Sequence, residues 1–114
     1  MNPSAFYSIC AQSIRFMHMT NTVVRGISSV NSKFFHMLVL ECKNFIATNL
    51  KITAPANSPN TDGIHLERNT GVAINKALIG TGDDCVSVGH GNSDVSLTSI
   101  TCGPGHGIRF DSDN

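Results

Sequence analysis

The segment Gly71–Ile79 (GVAINKALI) decides the fold, because two other segments repeat its pattern of apolar residues. Asn44–Ile52 (NFIATNLKI) precedes it by 27 residues, and Asp94–Cys102 (DVSLTSITC) follows it by 23. We assign the longer first interval to a surface loop at 54–59, which is rich in Pro, Asn and Ser. Repeats of this length in β-rich sequence predict a coil in which each turn lays a strand beside the previous one. The matching apolar positions are Phe45, Val72 and Val95; Ala47, Ile74 and Leu97; Leu50, Ala77 and Ile100; and Ile52, Ile79 and Cys102.

A second, shorter strand is predicted in each turn. Ile64–Leu66, Val86–Val88 and Ile108–Phe110 each alternate apolar and polar residues, which indicates a strand with one buried face. The whole pattern predicts an all-β fold, a partial right-handed, single-stranded parallel β-helix (a solenoid) with little helix. The polar residues of the short strands then project outward in a row formed by His65, Ser87 and Arg109.

Length and composition fit one solenoid domain. The chain has 114 residues, a formal net charge of zero and 14% charged residues, so nothing suggests nucleic acid or an anionic membrane as a partner. No apolar run reaches the roughly 18 residues of a membrane span, and the first residues do not have the pattern of a signal peptide. Because solenoids need capped ends, we expect residues 1–114 to be part of a domain whose C-terminal coils and cap are missing here.

Three chemically active residues recur at one interval of 22 residues: Asp62, Asp84 and His106, with Asp83 beside the second of them. Residues one turn apart in a solenoid stack at roughly the 4.8 Å spacing of strands, so the interval predicts a column. If side chains alternated strictly between the two faces of each short strand, the residues of this column would point into the apolar core. Because burial of unpaired carboxylates is costly, we place it at a bend before each short strand.

Crowded carboxylates suit the hydrolysis of glycosidic bonds. Like charges raise the pKa of at least one member, which becomes an acid able to protonate a leaving oxygen while its neighbours remain bases. On spacing alone, two other interpretations stay open. Gly82-Asp83-Asp84 is also a good turn sequence, and the aspartates could hold a metal ion together with His106. The four cysteines contain no C-x-x-C pair, which argues against zinc.

Three motifs in order resemble the NTD, GDD and GHG signatures of glycoside hydrolase family 28, the polygalacturonases. They are Asn60-Thr61-Asp62, Gly82-Asp83-Asp84 and Gly105-His106-Gly107, and the resemblance runs from about residue 23 to residue 108. The segment Asn31–Met37 (NSKFFHM) further resembles the plant and pollen exopolygalacturonase branch. The resemblance implies a pectin lyase-like β-helix that hydrolyses α-1,4 bonds between galacturonates in pectin, with inversion and with no metal or other cofactor.

The resemblance also implies a role for each residue of the column. Asp83 matches the general acid, Asp62 and Asp84 match the pair that activates the attacking water, and His106 supports the acid and the placement of substrate. The implied inverting mechanism disagrees with the predicted spacing of the column. Carboxylates on adjacent rungs would be closer together than the roughly 6.5–9.5 Å that separates the two carboxyl groups of inverting enzymes. We keep the stereochemistry that the resemblance implies.

Substrate contacts are expected from three further residues, Asn60, His65 and Arg109. Arg109 faces outward by alternation, and a guanidinium suits a galacturonate carboxylate, although a solvated arginine is the simpler interpretation. The resemblance implies a disulfide between Cys85 and Cys102, which would contribute about 3 kcal/mol. Without the resemblance, two buried thiols are equally compatible with the sequence.

The chain departs from the family pattern near its end. The family's Arg-Ile-Lys motif, which grips the substrate carboxylate, is absent, and Arg109 stands where the family usually has serine. We therefore expect the 114-residue chain alone to have little or no polygalacturonase activity. The alternative function is a catalytically silent β-helix fragment that at most binds pectin. By resemblance, the protein is expected to be secreted to the cell wall and to be a monomer.

Overall fold

The computed structural model describes residues 10–11, 13–30, 35–54, 62–81, 84–103 and 107–110. All regular secondary structure in these residues is β-strand. Among them, no helix has the length and hydropathy of a membrane span. The strands are β1 Cys10–Ala11, β2 Ile14–Met17, β3 Thr20–Arg25, β4 Ser28–Val30, β5 Phe35–Leu40, β6 Lys43–Thr53, β7 Asp62–Glu67, β8 Thr70–Gly80, β9 Val86–Val88, β10 Ser93–Cys102 and β11 Ile108–Phe110.

The strands form two parallel sheets that the chain visits in turn. The long-strand sheet has the order β1-β4-β6-β8-β10, with β3 also paired to β6. The short-strand sheet has the order β2-β5-β7-β9-β11. Each coil therefore places a short strand and then a long strand beside those of the preceding coil. This arrangement confirms the predicted partial right-handed parallel β-helix.

The predicted alignment of the long strands is confirmed residue by residue. Phe45 pairs with Val72 and Val72 with Val95, and the other three predicted columns align in the same way. The buried side chains of these columns fill the interior with apolar contacts, with Phe45, Ile74 and Ile79 fully buried. The connection between β6 and β7 accounts for most of the extra length of the 27-residue interval. Eight residues separate these two strands, whereas five residues separate β8 and β9. The predicted loop lies largely outside the described residues.

Every coil bends at the same three places, where one residue adopts a left-handed backbone conformation with φ between 51° and 77°. Such a residue leaves the ladder of the strand and turns the chain. Glycine and asparagine adopt this conformation most easily, and they occupy six of the twelve positions. The three columns are His18, Glu41, Arg68 and Gly91; Asn21, Asn44, Gly71 and Asp94; and Gly26, Asn49, Lys76 and Ser99.

Two asparagines, the buried Asn69 and the partly buried Asn92, join successive coils at one of these bends. The side-chain oxygen of Asn69 accepts a hydrogen bond of 2.8 Å from the backbone N–H of Cys42, and its amide nitrogen donates to the carbonyl of Val39 at 2.9 Å. The same nitrogen donates to the side-chain oxygen of Asn92 at 2.9 Å, and Asn92 in turn donates to the carbonyl of Leu66 at 3.0 Å. These bonds satisfy backbone groups that the bend removes from the ladders, which is the condition for burying them.

The expected burial of Ile108 is wrong. Ile108 is 42% exposed and Phe110 is 65% exposed, whereas their counterparts Val86 and Val88 are buried. The register of β11 is as predicted, since Ile108 pairs with Val86 and Phe110 with Val88. The difference arises because β11 is the edge strand of its sheet, and no described residue covers the apolar face beyond it.

Candidate functional site

The structure describes only part of the predicted site. Asp62, Asp84, His65 and Arg109 are among the described residues, and they lie on or beside the short-strand sheet. The remaining predicted site residues are outside the described residues: Asn60, Asp83 and His106.

Asp62 and Asp84 lie on neighbouring rungs of the solenoid. The backbone N–H of Gly63 donates to the carbonyl of Asp84 at 2.9 Å, and that of Ile64 donates to Cys85 at the same distance. Asp84 precedes β9 without belonging to it, as the predicted bend requires. Asp62 is instead the first residue of β7, because it pairs with Phe35 in the preceding coil. Both aspartates are partly buried, so neither points into the apolar interior.

The close approach of these two rungs depends on a glycine. A Cβ atom at Gly63 would lie 2.4 Å from the carbonyl oxygen of Cys85 and 2.7 Å from Cγ2 of Ile79. Neither neighbour is the far end of a flexible side chain. The absence of a side chain at this position therefore lets the coil that carries Asp62 approach the coil that carries Asp84.

A disulfide fastens the residue next to Asp84. Cys85 and Cys102 are bonded, with Cα atoms 6.0 Å apart and a separation of 17 positions in sequence, which is the pairing that the resemblance implies. The bond joins the start of the short strand β9 to the last residue of β10. Cys42 is a free, buried cysteine, and burial raises the pKa of its thiol, so its thiolate form is disfavoured.

The predicted outward row of polar side chains is present. Strand register places His65 beside Ser87 and Ser87 beside Arg109. The hydroxyl of Ser87 lies 3.2 Å from Nδ1 of His65, and it accepts a hydrogen bond of 2.9 Å from Nη2 of Arg109. Ser87 is nonetheless fully buried, because its two neighbours in the row cover it.

Arg109 connects this row to the catalytic candidate Asp84. Its Nε atom lies 2.8 Å from Oδ2 of Asp84, whose side chain is 14% exposed, while that of Arg109 is 52% exposed. A charge-assisted pair of this geometry is stronger than a neutral hydrogen bond. The arginine is therefore placed where it can orient the carboxylate of Asp84 and also present charge to solvent.

Sequence reasoning missed a buried histidine beside Asp62. His36, which gives no functional signal in the sequence, is fully buried in β5. Its Nδ1 lies 3.3 Å from the carbonyl oxygen of Asp62, and its Nε2 lies 3.1 Å from that of Thr53. The one available signal in the sequence is positional. Met37 pairs with Ile64, 27 residues later, so His36 occupies the position of the preceding coil that corresponds to Gly63, next to Asp62. The histidine thus anchors the backbone of a predicted catalytic residue.

We expect His36 to make folding stability depend on pH. Burial lowers the pKa of His36, and the contacts with the carbonyls of Asp62 and Thr53 oppose this shift only in part. Because the folded-state pKa lies below the unfolded value of about 6.5, the unfolded chain binds more protons in acid. The neutral ring therefore stabilises the fold fully above about pH 6.5, and this contribution is lost as the pH falls below that value.

Urea unfolding at pH 7.5 and pH 5.5 measures this effect. Replacing His36 by glutamine removes the titrating group, so the variant should lose less stability between the two pH values than the parent chain does. His18→Gln, at an exposed histidine, is the matched control. This variant should lose as much stability between pH 7.5 and pH 5.5 as the parent chain does. An equal loss in the parent and in the His36→Gln variant would contradict the prediction.

The metal-binding interpretation is only partly covered by the structure, because Asp83 and His106 lie outside the described residues. Among the described residues, no three or more His, Cys, Asp or Glu side chains converge as a metal site requires.

The chain is similar to known enzymes over most of its length. Residues 8–112 match the family model for glycosyl hydrolases family 28. An exopolygalacturonase of Zea mays is 48% identical over 104 residues, which is 91% of this chain and 25% of that protein. An exopolygalacturonase of Arabidopsis thaliana is 51% identical over 100 residues, 88% of this chain and 24% of that protein. A polygalacturonase of Medicago sativa is 48% identical over 85% of this chain. The chain thus spans about a quarter of the length of these curated relatives.

Proposed function

The chain belongs to glycosyl hydrolases family 28, and on that premise we propose that the protein containing it hydrolyses α-1,4-galacturonosyl bonds in pectin or polygalacturonan. The observation that supports the proposal most directly is the pair of aspartates on neighbouring rungs, in a chain 48% identical to an exopolygalacturonase over 104 residues. A pair of carboxyl groups on one face is what glycosidic hydrolysis requires.

The proposed reaction is an inverting displacement. Asp83 gives its proton to the glycosidic oxygen while the bond from that oxygen to the anomeric carbon breaks. A water molecule attacks the same carbon from the opposite face, and Asp62 and Asp84 take up its proton. His106 supports the protonated state of Asp83. Each turnover consumes one water, and the configuration at the anomeric carbon is reversed.

Substrate recognition is proposed for the polar row together with Asn60. Galacturonan carries one carboxylate per sugar, and Arg109 presents a half-exposed guanidinium beside Asp84. Arginine binds carboxylates through a planar fork of donors. His65, whose side chain is 27% exposed, supplies a further polar contact for a sugar hydroxyl. These contacts would position the chain of sugars along the short-strand sheet.

The remaining properties follow from the proposed substrate. The mechanism uses only side chains and water, so we propose that it needs no metal or other cofactor. Pectin is a polymer of the plant cell wall, so the protein is proposed to be secreted there and to act as a monomer, without nucleic acid or membrane partners.

A second candidate is a catalytically silent β-helix that binds pectin. It is favoured by one specific observation, the half-exposed guanidinium of Arg109 in the outward polar row, which can contact a carboxylate without any bond being broken. The outward row of His65, Ser87 and Arg109 would still offer polar contacts to galacturonate. The two candidates differ in whether glycosidic bonds are broken.

Release of reducing ends from polygalacturonate distinguishes the two candidates. The 114-residue chain and the longest product of its gene are each incubated with polygalacturonate, with neutral α-1,4-glucan as the control substrate. We expect the longest product to release reducing ends from polygalacturonate only, and proton NMR should show the β-anomer first. The 114-residue chain is expected to bind oligogalacturonates with little or no hydrolysis. Binding without hydrolysis by both proteins would exclude the enzyme and support the silent form.

A further inference from the structure

A continuous series of polar contacts crosses three rungs on the outside of the short-strand sheet. Nε2 of His65 lies 2.9 Å from Oε1 of Glu67, and Nδ1 of the same ring lies 3.2 Å from the hydroxyl of Ser87. Arg109 donates to that hydroxyl at 2.9 Å and forms an ion pair of 2.8 Å with Asp84. We call these five residues, Glu67, His65, Ser87, Arg109 and Asp84, the outer polar chain.

Hydrogen-bond chemistry gives the outer polar chain one consistent direction. A guanidinium can only donate, so Ser87 and Asp84 both accept from Arg109. The hydroxyl of Ser87 is then able to donate to Nδ1 of His65, which leaves the proton of the neutral imidazole on Nε2 to be donated to Glu67. In this pattern each contact of the series joins one donor to one acceptor. Hydrogen bonds linked in series also strengthen one another when they are shielded from water.

The far end of the outer polar chain is firmly held. The side chain of Glu67 is only 19% exposed, and its second oxygen accepts a hydrogen bond of 3.2 Å from the backbone N–H of His90. Gly89 makes room for this carboxylate, because a Cβ atom there would lie 2.3 Å from Oε1 of Glu67 and 3.2 Å from Cε1 of His65. Glu67 is thus fixed by backbone on one side and by His65 on the other.

From these contacts we propose that Glu67 is a positioning residue for Asp84. It acts through His65 and Ser87, which hold the guanidinium of Arg109 in the orientation that fixes the carboxylate of Asp84. Arg109 belongs to the rung after Asp84, and half of its side chain is exposed, so without the buried Ser87 its position would be poorly determined. A carboxylate that activates water must be held in a narrow range of positions.

This inference rests on the proposed function in one respect, the role of Asp84 in activating water. The contacts themselves are independent of that role. The test therefore needs one measurement on the contacts and another on the reaction, so that a failure of one can be told from a failure of the other.

The first measurement is NMR of the labelled 114-residue chain. The Nε–H signal of Arg109 is identified by its loss in Arg109→Lys, and its exchange with water is followed together with the carboxyl carbon signal of Asp84. Glu67→Gln keeps the shape of the side chain but removes its charge, and Gly89→Ala displaces the same carboxylate by crowding. Both should accelerate exchange about tenfold and shift the Asp84 signal.

Two matched controls accompany these variants. Asp94→Asn removes the charge of an exposed acid at the start of β10, on the long-strand sheet and outside the outer polar chain. Gly103→Ala adds a methyl group where the described part of the chain places no atom within 4 Å. Both controls should leave the two signals unchanged. If Glu67→Gln and Gly89→Ala also leave them unchanged, the inference is overturned.

The second measurement is the rate with polygalacturonate, made on the longest product of the gene. Glu67→Gln is expected to lower kcat about tenfold with little change in KM, because it disturbs the position of a reacting group rather than the binding of substrate. Altered NMR signals with an unchanged rate would overturn the catalytic part of the inference. If even the parent protein hydrolyses no polygalacturonate, the proposed function fails, and the NMR result alone decides whether Glu67 positions Asp84.

Discussion

Replacement of Asp83 by asparagine is expected to lower the rate of polygalacturonate hydrolysis by about 10²–10⁴-fold. Asparagine keeps the size of the side chain but cannot give a proton to the glycosidic oxygen. The leaving sugar would then depart as an alkoxide, which is a poor leaving group. Because the substitution acts on the chemical step, kcat should fall while KM changes little. The measurement is the initial rate of reducing-end release by the longest product of the gene.

The matched control for this substitution is Asp94→Asn. Asp94 is an exposed residue at the start of β10 whose backbone is left-handed, with φ of 58°, a conformation that asparagine adopts readily. The control variant should keep the parental rate and stability. Comparable rates in the Asp83→Asn variant and the parent would show that Asp83 is not the proton donor, and a loss of stability in the variant would assign the effect to folding instead.

The second large effect is expected from Gly63→Ala, which should lower the free energy of unfolding by about 3 kcal/mol. The added methyl group would lie 2.4 Å from a carbonyl oxygen of the next coil and 2.7 Å from the side chain of Ile79. Contact with backbone cannot be relieved by rotating a side chain, so the two coils must move apart. That movement would stretch the hydrogen bond of 2.9 Å from Gly63 to the carbonyl of Asp84.

Urea unfolding of the parent and variant chains measures this loss. Gly103→Ala is the control, because a methyl group there meets no atom of the described residues within 4 Å. The control should change stability by less than about 0.5 kcal/mol, the usual range of surface substitutions. Equal stabilities of Gly63→Ala and Gly103→Ala would contradict the proposed crowding between coils.

Much of the fold could be predicted from sequence because the repeat is carried by apolar residues. The spacing of Phe45, Val72 and Val95 gives the register of three long strands, and the structure has that register. The bends were not predicted residue by residue, since Lys76 and Ser99 occupy left-handed positions that composition does not reveal. Burial of Ile108 was also predicted wrongly, because alternation shows which face a side chain shares but not whether another coil covers it.

The site could be predicted less completely than the fold. The row of His65, Ser87 and Arg109 follows from alternation, but the ion pair between Arg109 and Asp84 depends on side-chain conformations that no spacing specifies. His36 was missed because a single histidine in an apolar segment has no distinguishing pattern. Its role is visible only once the carbonyl oxygens of Asp62 and Thr53 are found beside its ring.

The unequal spacing of the coils has a consequence for how such proteins diversify. The connection between β6 and β7 is three residues longer than the one between β8 and β9, and strand pairing on both sides of it is undisturbed. Insertions at this position are therefore expected to leave the pairing of the strands that carry Asp62 and its neighbouring rungs unchanged. The same property makes the connection a suitable place for loop grafting.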